Sequence, residues 1–286
     1  MKKTIGWLVL QLLFLSAQAQ YYYSDLVATE LLENKQSLYR KGLVKKINET
    51  AILPNGERQA NYRQWSTISA AGDTLQQIRE EQDGSIQTTI LFDRTGKIIE
   101  QTETQSTRKV YTTYEYASNS KIKKIELSLH DPLMDLNTLE THIWEYDDKG
   151  KPVRMWRMIE QPDRSVDSTE IRFILDSVGQ VAEERIIKKG KEFDFLFYYY
   201  NEHRLITDIV RYHPKWKKLL PDQLFEYGTD GKLIQRMQIL GNRELAYLIW
   251  RYTYDSGGLI KEEALFNNQK QLTGSIQFSY EYYQPR

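Results

Sequence analysis

The stretch Trp144-Glu145-Tyr146-Asp147-Asp148-Lys149-Gly150-Lys151-Pro152-Val153 places two large aromatics on alternate positions, then a reversal, then the start of an outgoing segment. Successive side chains on a strand point to opposite faces, so Trp144 and Tyr146 share one face and Glu145 takes the other. Asp147 can bond its own backbone to start a turn. Gly150 tolerates the positive φ that a tight reversal needs. The stretch reads as the first strand and turn of a β-hairpin.

The same pattern runs through most of the chain. Clear copies are Phe92 to Ile98 around Gly96, Leu175 to Val181 around Gly179, Tyr227 to Leu233 around Gly231, and Tyr254 to Ile260 around Gly258. Weaker copies start at Ile68 (with Gly72), at Tyr116 (with Ser120 in the glycine position) and at Tyr200, which reads one residue shorter with Arg204 there. Tyr282 reads as a ninth anchor. The anchors are spaced by 24, 24, 30, 29, 25, 27, 27 and 28 residues. Two positions before each anchor from Phe92 onward stand Ile90, Tyr114, Trp144, Phe173, Tyr198, Phe225, Tyr252 and Tyr280, all large and apolar. Such residues suit a pleated, half-buried surface. Asp93, Asp147, Asp176, Asn201 and Asp255 directly follow their anchors and are assigned to turn formation rather than catalysis.

A second turn returns the chain in each repeat, visible as Asp83-Gly84, Lys189-Gly190-Lys191, Gly241-Asn242 and Asn267-Asn268. Each unit is therefore two strands and two turns. The expected fold is all-β: a long antiparallel meander of about eight hairpin repeats, giving roughly 16 to 18 strands. An open twisted sheet of that width curls, so a coiled or solenoid-like sheet is expected, or a partly closed one.

The beginning of the chain differs. Lys2 and Lys3 precede an apolar run from Ile5 to Leu15, and Ala17-Gln18-Ala19 has the small-x-small form of a cleavage site. The run is shorter than the roughly 20 residues a membrane-crossing helix needs. Residues 1–19 are read as a signal peptide. Residues 20–42 are read as a short helical segment, with Ser24-Asp25 at its start, apolar Leu26, Val27, Leu31, Leu32 and Leu38, and Gly42 to stop it. Its expected task is to cap an open sheet edge. Residues 43–286 form the single repeat domain.

Composition narrows the function classes. Lys and Arg number 39 against 39 Asp and Glu, so no basic excess exists to neutralise nucleic-acid phosphates. The chain has no cysteine, which removes thiolate metal sites, cysteine nucleophiles and disulfide staples.

The phrases Trp144-Glu-Tyr-Asp-Asp-Lys-Gly-Lys151, Phe225-Glu-Tyr-Gly-Thr-Asp-Gly-Lys232 and Tyr252-Thr-Tyr-Asp-Ser-Gly-Gly258 resemble the YD repeat of RHS proteins. The resemblance covers about residues 60–286. It departs from the family in its longer, looser spacing and in lacking the aspartate at Ala117, Gly228 and Tyr283. The 286 residues are also far fewer than the shell of full-length RHS proteins needs, and no stretch of them reads as an appended toxin domain. The resemblance implies an exported β-repeat scaffold with carbohydrate or surface binding, and no catalytic residue.

Candidate sites are few. His130, His142, His203 and His213 form no helical zinc motif, and neither a G-x-S-x-G elbow nor a phosphate loop occurs. His142 falls on the anchor face and reads as a satisfied core histidine. The pairs Glu80-Glu81, Glu183-Glu184 and Glu262-Glu263 point to opposite faces of a strand, so neither member can join the other across one glycosidic bond. They read as solvated strand edges. Phe193, Phe195, Phe197 and Tyr199 line one side of a strand whose other side carries Leu196, Tyr198 and Tyr200. Such a strand is covered on both faces, or else its aromatics form an exposed platform for sugar rings or a partner protein.

The reading that follows is a non-catalytic exported repeat protein, periplasmic, surface-located or secreted, needing no cofactor. Carbohydrate or a cell-surface protein is its expected partner, with no transmembrane helix left after signal cleavage. The alternatives are an outer-membrane β-barrel, opposed by charged outgoing strands such as Lys121-Ile-Lys-Lys-Ile-Glu126, and a polysaccharide hydrolase.

Overall fold

The computed structural model describes residues 21–81, 84–161, 163–213, 216–240 and 246–284. The expected signal peptide, Asp83 and the Gly241-Asn242 turn lie outside these residues. One helix, α1 (Ser24–Lys41), precedes eighteen strands among the described residues. These are β1 (Val44–Ile52), β2 (Arg63–Ile68), β3 (Thr74–Glu81), β4 (Gly84–Phe92), β5 (Ile98–Gln105), β6 (Arg108–Tyr116), β7 (Ile122–Asp131), β8 (Leu136–Tyr146) and β9 (Pro152–Glu160). They continue as β10 (Val166–Leu175), β11 (Val181–Lys188), β12 (Lys191–Tyr200), β13 (Ile206–His213), β14 (Lys218–Tyr227), β15 (Leu233–Leu240), β16 (Ala246–Tyr254), β17 (Ile260–Phe266) and β18 (Leu272–Tyr282).

Each strand pairs antiparallel with its sequence neighbours, as the repeat predicts. The ends of the meander also meet. β1 pairs with β2 through Asn48↔Trp65 and with β18 through Glu49↔Phe278. The sheet is thus a closed barrel, which overturns the expectation of a coiled or solenoid-like sheet. No edge remains for a capping helix to cover.

The cause of closure repeats with the sequence. At the anchors Phe92, Tyr116, Tyr146, Leu175, Tyr200, Tyr227 and Tyr254 the register slips by one residue against the outgoing strand. A bulge of this kind bends the sheet and increases its local twist. Seven bulges at one end of the sheet bend it in one direction. Closure then pairs the N–H and C=O groups that β1 and β18 would otherwise leave exposed.

The anchor turns share one geometry. In the Tyr146 copy, Asp147 N–H donates to Lys151 O and Gly150 N–H to Asp147 O, while the Asp147 carboxylate accepts from Lys149 and Lys151 N–H. Asn201 in the Tyr200 copy does the same with His203 and Leu205, so that turn is not shorter than the others. Ser120 and Arg204 occupy the glycine position at φ 61° and 63°. The anchor tyrosines tie each unit to the one before: Tyr146 Oη donates to Ile122 O, Tyr227 to Ile206 O and Tyr254 to Leu233 O, at 2.7–2.8 Å. At the end of the chain Tyr280, rather than Tyr282, performs this role, donating to Ile260 O.

The anchor face is the inside of the barrel. Two apolar clusters fill it. One gathers Trp144, Met155, Ile171, Phe173, Leu196 and Tyr198 around Tyr22; the other gathers Val44, Ile47, Ile68, Ile90, Phe92 and Ile98 around Tyr39. Tyr22 and Tyr39 come from the two ends of the α1 segment, so α1 lies within the ring and its ends seat the two cores. Trp144 and Phe173 stack at 5.2 Å between centroids.

Candidate functional site: the plugged lumen and the aromatic outer wall

α1 packs Leu26, Leu32 and Leu38 against the two apolar clusters, but its most buried positions are mainly polar. Its buried residues are Asp25, Thr29, Gln36 and Tyr39, while Leu31 is 60% exposed. Asp25, Thr29, Glu33 and Gln36 follow helical spacing and form a polar stripe against the wall. Gln36 Nε2 donates to Gly72 O at 2.8 Å, in the β2–β3 turn. Glu33 receives Lys97 Nζ at 2.7 Å, Ile98 N–H and Tyr116 Oη, from β6 and the start of β5. Asp25 meets His142 of β8. The contacts of α1 and the three tyrosines before it reach from the β2–β3 turn to β14, which makes the segment a plug.

The N-terminal end of the plug is held by one carboxylate. Glu184 of β11 is fully buried (0% exposed) and accepts the N–H groups of Tyr22 and Tyr23, both at 2.9 Å, and Tyr198 Oη at 2.8 Å. Burial raises its pKa to about 7 in spite of these three donors. Backbone N–H groups at and just before a helix N-terminus lack an intrahelical acceptor, and here the acceptor comes from the barrel wall. Gln223 Nε2 of β14 donates to Tyr21 Oη beside it.

A second ionic cluster lies on β8 and β9. His142 Nδ1 is 2.6 Å from Asp25 Oδ2 and its Nε2 is 2.8 Å from Glu140 Oε1, while Arg157 grips Glu140 at 2.6 and 2.8 Å. Burial by itself would lower the His142 pKa, but Asp25 and Glu140 outweigh it and hold it at about 9. His142 is therefore the satisfied core histidine that its position suggests, charged at neutral pH. His130 bonds Asn137, and His203 and His213 lie beside Glu202 and Trp216.

The glutamate pairs divide as alternation requires, but the reading of both members as solvated does not hold. Glu183 faces out and pairs with Arg185, whereas Glu184 is wholly enclosed. Glu263 is also buried, and burial raises its pKa to about 7. Alternation on a strand in a barrel with an apolar interior was the signal that one of each pair must turn inward.

The strand with aromatics on both faces is covered on one side only. Leu196, Tyr198 and Tyr200 face the lumen and pack on the plug. Phe193, Phe195, Phe197 and Tyr199 lie on the outer wall: Phe193 is 67% exposed and Tyr199 48%, with Phe195 and Phe197 half-buried by neighbouring strands. Arg185 lies 6.0 Å from the Phe195 ring centre and Lys188 5.3 Å from that of Phe193.

Beyond the aromatic row, apolar side chains continue across the outer wall through the pairs Phe197↔Val210, Tyr212↔Leu219, Met237↔Ile249 and Ile249↔Phe266, with Ile249 itself buried, while Asp208, Glu226, Gln235 and Arg251 share this face toward the anchor turns. The opposite wall is polar. On β6 and β7, Lys124 bonds Glu115 at 2.8 Å and Glu126 at 3.3 Å across the outer face.

Neither a family model nor a curated protein matches the chain. Among solved structures it is similar to a porin-like protein from Bacteroides uniformis, at 12% identity and TM-score 0.41, over 83% of this chain and 98% of that one. A porin-like protein from Bacteroides vulgatus follows at 10% identity and TM-score 0.30, over 84% and 99%. The Tc holotoxin pore of Photorhabdus luminescens gives 9% identity and TM-score 0.31, over 77% of this chain but 16% of the toxin chain. Of the architectures open at the level of sequence, the barrel alternative fits this closed ring of strands better than an open repeat scaffold does.

Proposed function

We propose that the protein is an exported, non-catalytic β-barrel of the bacterial outer membrane, plugged by its N-terminal helix and seated in lipid along one wall. The observation that carries this reading is the closed ring of strands whose outer surface is apolar on the half of β12–β16 toward the second turns and charged on β6–β7. A closed barrel is one of the two structures whose backbone groups are all paired without water. A charged residue such as Lys or Arg facing lipid at the midplane costs about 2–4 kcal/mol. Lys124 therefore stays in water, and contact along one wall satisfies both halves of the surface. The signal-like residues 1–19 supply the export route. The lumenal carboxylates Asp25, Glu33, Glu140 and Glu184 are all engaged in holding the plug or its partners, which leaves them no substrate to act on.

Fractionation of cells producing the protein tests this. The barrel is expected in the membrane fraction, released by detergent, with mobility on a denaturing gel that changes on heating. Recovery in the soluble periplasmic or culture fraction would instead favour a second reading, suggested by the polar β6–β7 face and the YD-like repeats: a free exported scaffold that binds glycan or protein through Phe193, Phe195, Phe197 and Tyr199.

A further inference from the structure

The two ends of the barrel differ. One carries the anchor turns; the other carries the second turns of each repeat. On that second rim the β11–β12 and β13–β14 turns stand next to each other and bring together Lys188, Lys189, Lys191, Lys217 and Lys218, all exposed. Phe193, Trp216 (53% exposed) and Leu219 project among them. Of the acidic side chains beside them, Glu192 is engaged by Arg185 at 3.3 Å, and Asp167 lines a groove with Lys188 and Lys189. Among the described residues none of the five lysines is paired with a carboxylate.

The turns do not require these lysines. Lys189 and Lys217 sit at φ 49° and 50°, the left-handed region where glycine or asparagine is at ease. A long cationic side chain there is a conformational cost that turn formation does not explain. Exposed lysines around a tryptophan and a phenylalanine match the boundary layer of a bilayer, where aromatic rings sit at headgroup level and cations meet phosphates.

We propose that this rim of β11–β14 docks on an anionic phospholipid surface, with Phe193 and Trp216 entering the headgroup layer and the five lysines on its phosphates. The proposal deepens the outer-membrane reading above and rests on it for its setting. It also orients the barrel: the second-turn rim meets lipid and the anchor turns face away. The patch is continuous with the aromatic wall through Tyr212↔Leu219, so rim and wall form one contact surface.

The test is co-sedimentation of the chain from residue 20 with vesicles of phosphatidylcholine containing phosphatidylglycerol, and with vesicles of phosphatidylcholine alone. Binding to the anionic vesicles alone is expected, weakened by salt and not displaced by soluble glycerol phosphate. Each lysine near such a surface is worth roughly fivefold in binding, so the quadruple variant K188Q/K189Q/K217Q/K218Q should lose more than a hundredfold. W216F should abolish a blue shift of emission on binding. These residues lie on exposed turns, and an unchanged circular dichroism spectrum confirms folding of each variant. Equal binding to both vesicle types, no binding to either, or full binding by the quadruple variant would overturn the proposal. A chain that fractionates with membranes but ignores anionic vesicles defeats this inference alone. A chain that is soluble in cells but binds them defeats the outer-membrane assignment and keeps the patch.

Discussion

Tyr283 Oη donates to Ile68 O at 2.7 Å, across 215 residues of sequence. Tyrosine-to-carbonyl bonds also join consecutive units, from Tyr146 to Ile122 and from Tyr254 to Leu233, but those carbonyls follow an anchor turn whereas Ile68 precedes one. The Tyr283 bond joins the last unit to the first. Tyr283 N–H also donates to Leu43 O at 2.8 Å. Tyr283, just beyond β18, thus ties the end of the chain to the first strands at the seam of the barrel.

Tyr283→Phe removes that bond while keeping the ring, and leaves the Ile68 carbonyl without this donor. A net loss of about 1–2 kcal/mol is expected. Urea unfolding followed by both tryptophan fluorescence and circular dichroism measures it. Coincident transitions would show that the seam unfolds with the rest, and an unchanged midpoint would mean the seam does not depend on this bond.

The anchor turns that lack glycine should gain from it. Arg204→Gly and Ser120→Gly each relieve a left-handed side-chain residue, and a gain of about 0.5–1 kcal/mol per site is expected after the entropy of glycine is counted. The converse, Gly72→Ala, should cost more than an ordinary turn substitution, because its new Cβ would sit at a φ of 68° and overlap Arg40 Cγ on the plug. Thermal melting of the three variants ranks them.

The pH dependence of stability has a definite sign. Glu184 and Glu263 have pKa values raised from 4.5 to about 7, chiefly by burial. The folded state holds their protons more tightly than the unfolded chain, so their contribution is complete below 4.5 and is lost as pH rises through about 7. His142, raised from 6.5 to about 9, adds stability that is complete below 6.5 and is lost as pH rises through about 9. Stability should therefore fall from mildly acid to mildly alkaline conditions. Glu184 contributes on the order of 3 kcal/mol to the lower part of that range, and Glu184→Gln should flatten it. Urea midpoints measured from pH 5 to 9 decide this, and a wild-type profile that rises with pH would contradict the burial of both carboxylates.

Asp25→Ala leaves His142 buried with one carboxylate in place of two. A cost of about 3 kcal/mol is expected, in line with breaking a buried ion pair. The His142 pKa should drop well below 9, because burial then has less to oppose it. Titration of the imidazole by NMR reads this directly, and a histidine still titrating near 9 would show that Glu140 suffices.

Much of the strand content was legible in the order of residues. Anchor spacing, the Asp or Asn after each anchor and the glycine beyond it located the turns, because turn chemistry and period-two alternation act over a few residues. The helix runs between the start expected at Ser24-Asp25 and the stop at Gly42, and Leu26, Leu32 and Leu38 of its expected apolar set pack on the core clusters. Leu31 proved exposed and Asp25 and Gln36 buried, since the wall the helix meets carries His142 and the Gly72 carbonyl beside its apolar clusters. The aromatic row at Phe193, Phe195, Phe197 and Tyr199 was visible as a row, while the side of the sheet it faced was not.

The sequence by itself determined a chain of like β-hairpins with one apolar face, because every signal for that lies within a single repeat. Whether the row of hairpins stays open or joins its ends was decided only by the tertiary structure. Curvature accumulates over seven bulges, and the pairing of β1 with β18 unites segments at opposite ends of the domain. That closure turned the shared apolar face into an interior, drew the N-terminal helix inside it, and changed Glu184 from a surface charge into the residue that holds the plug.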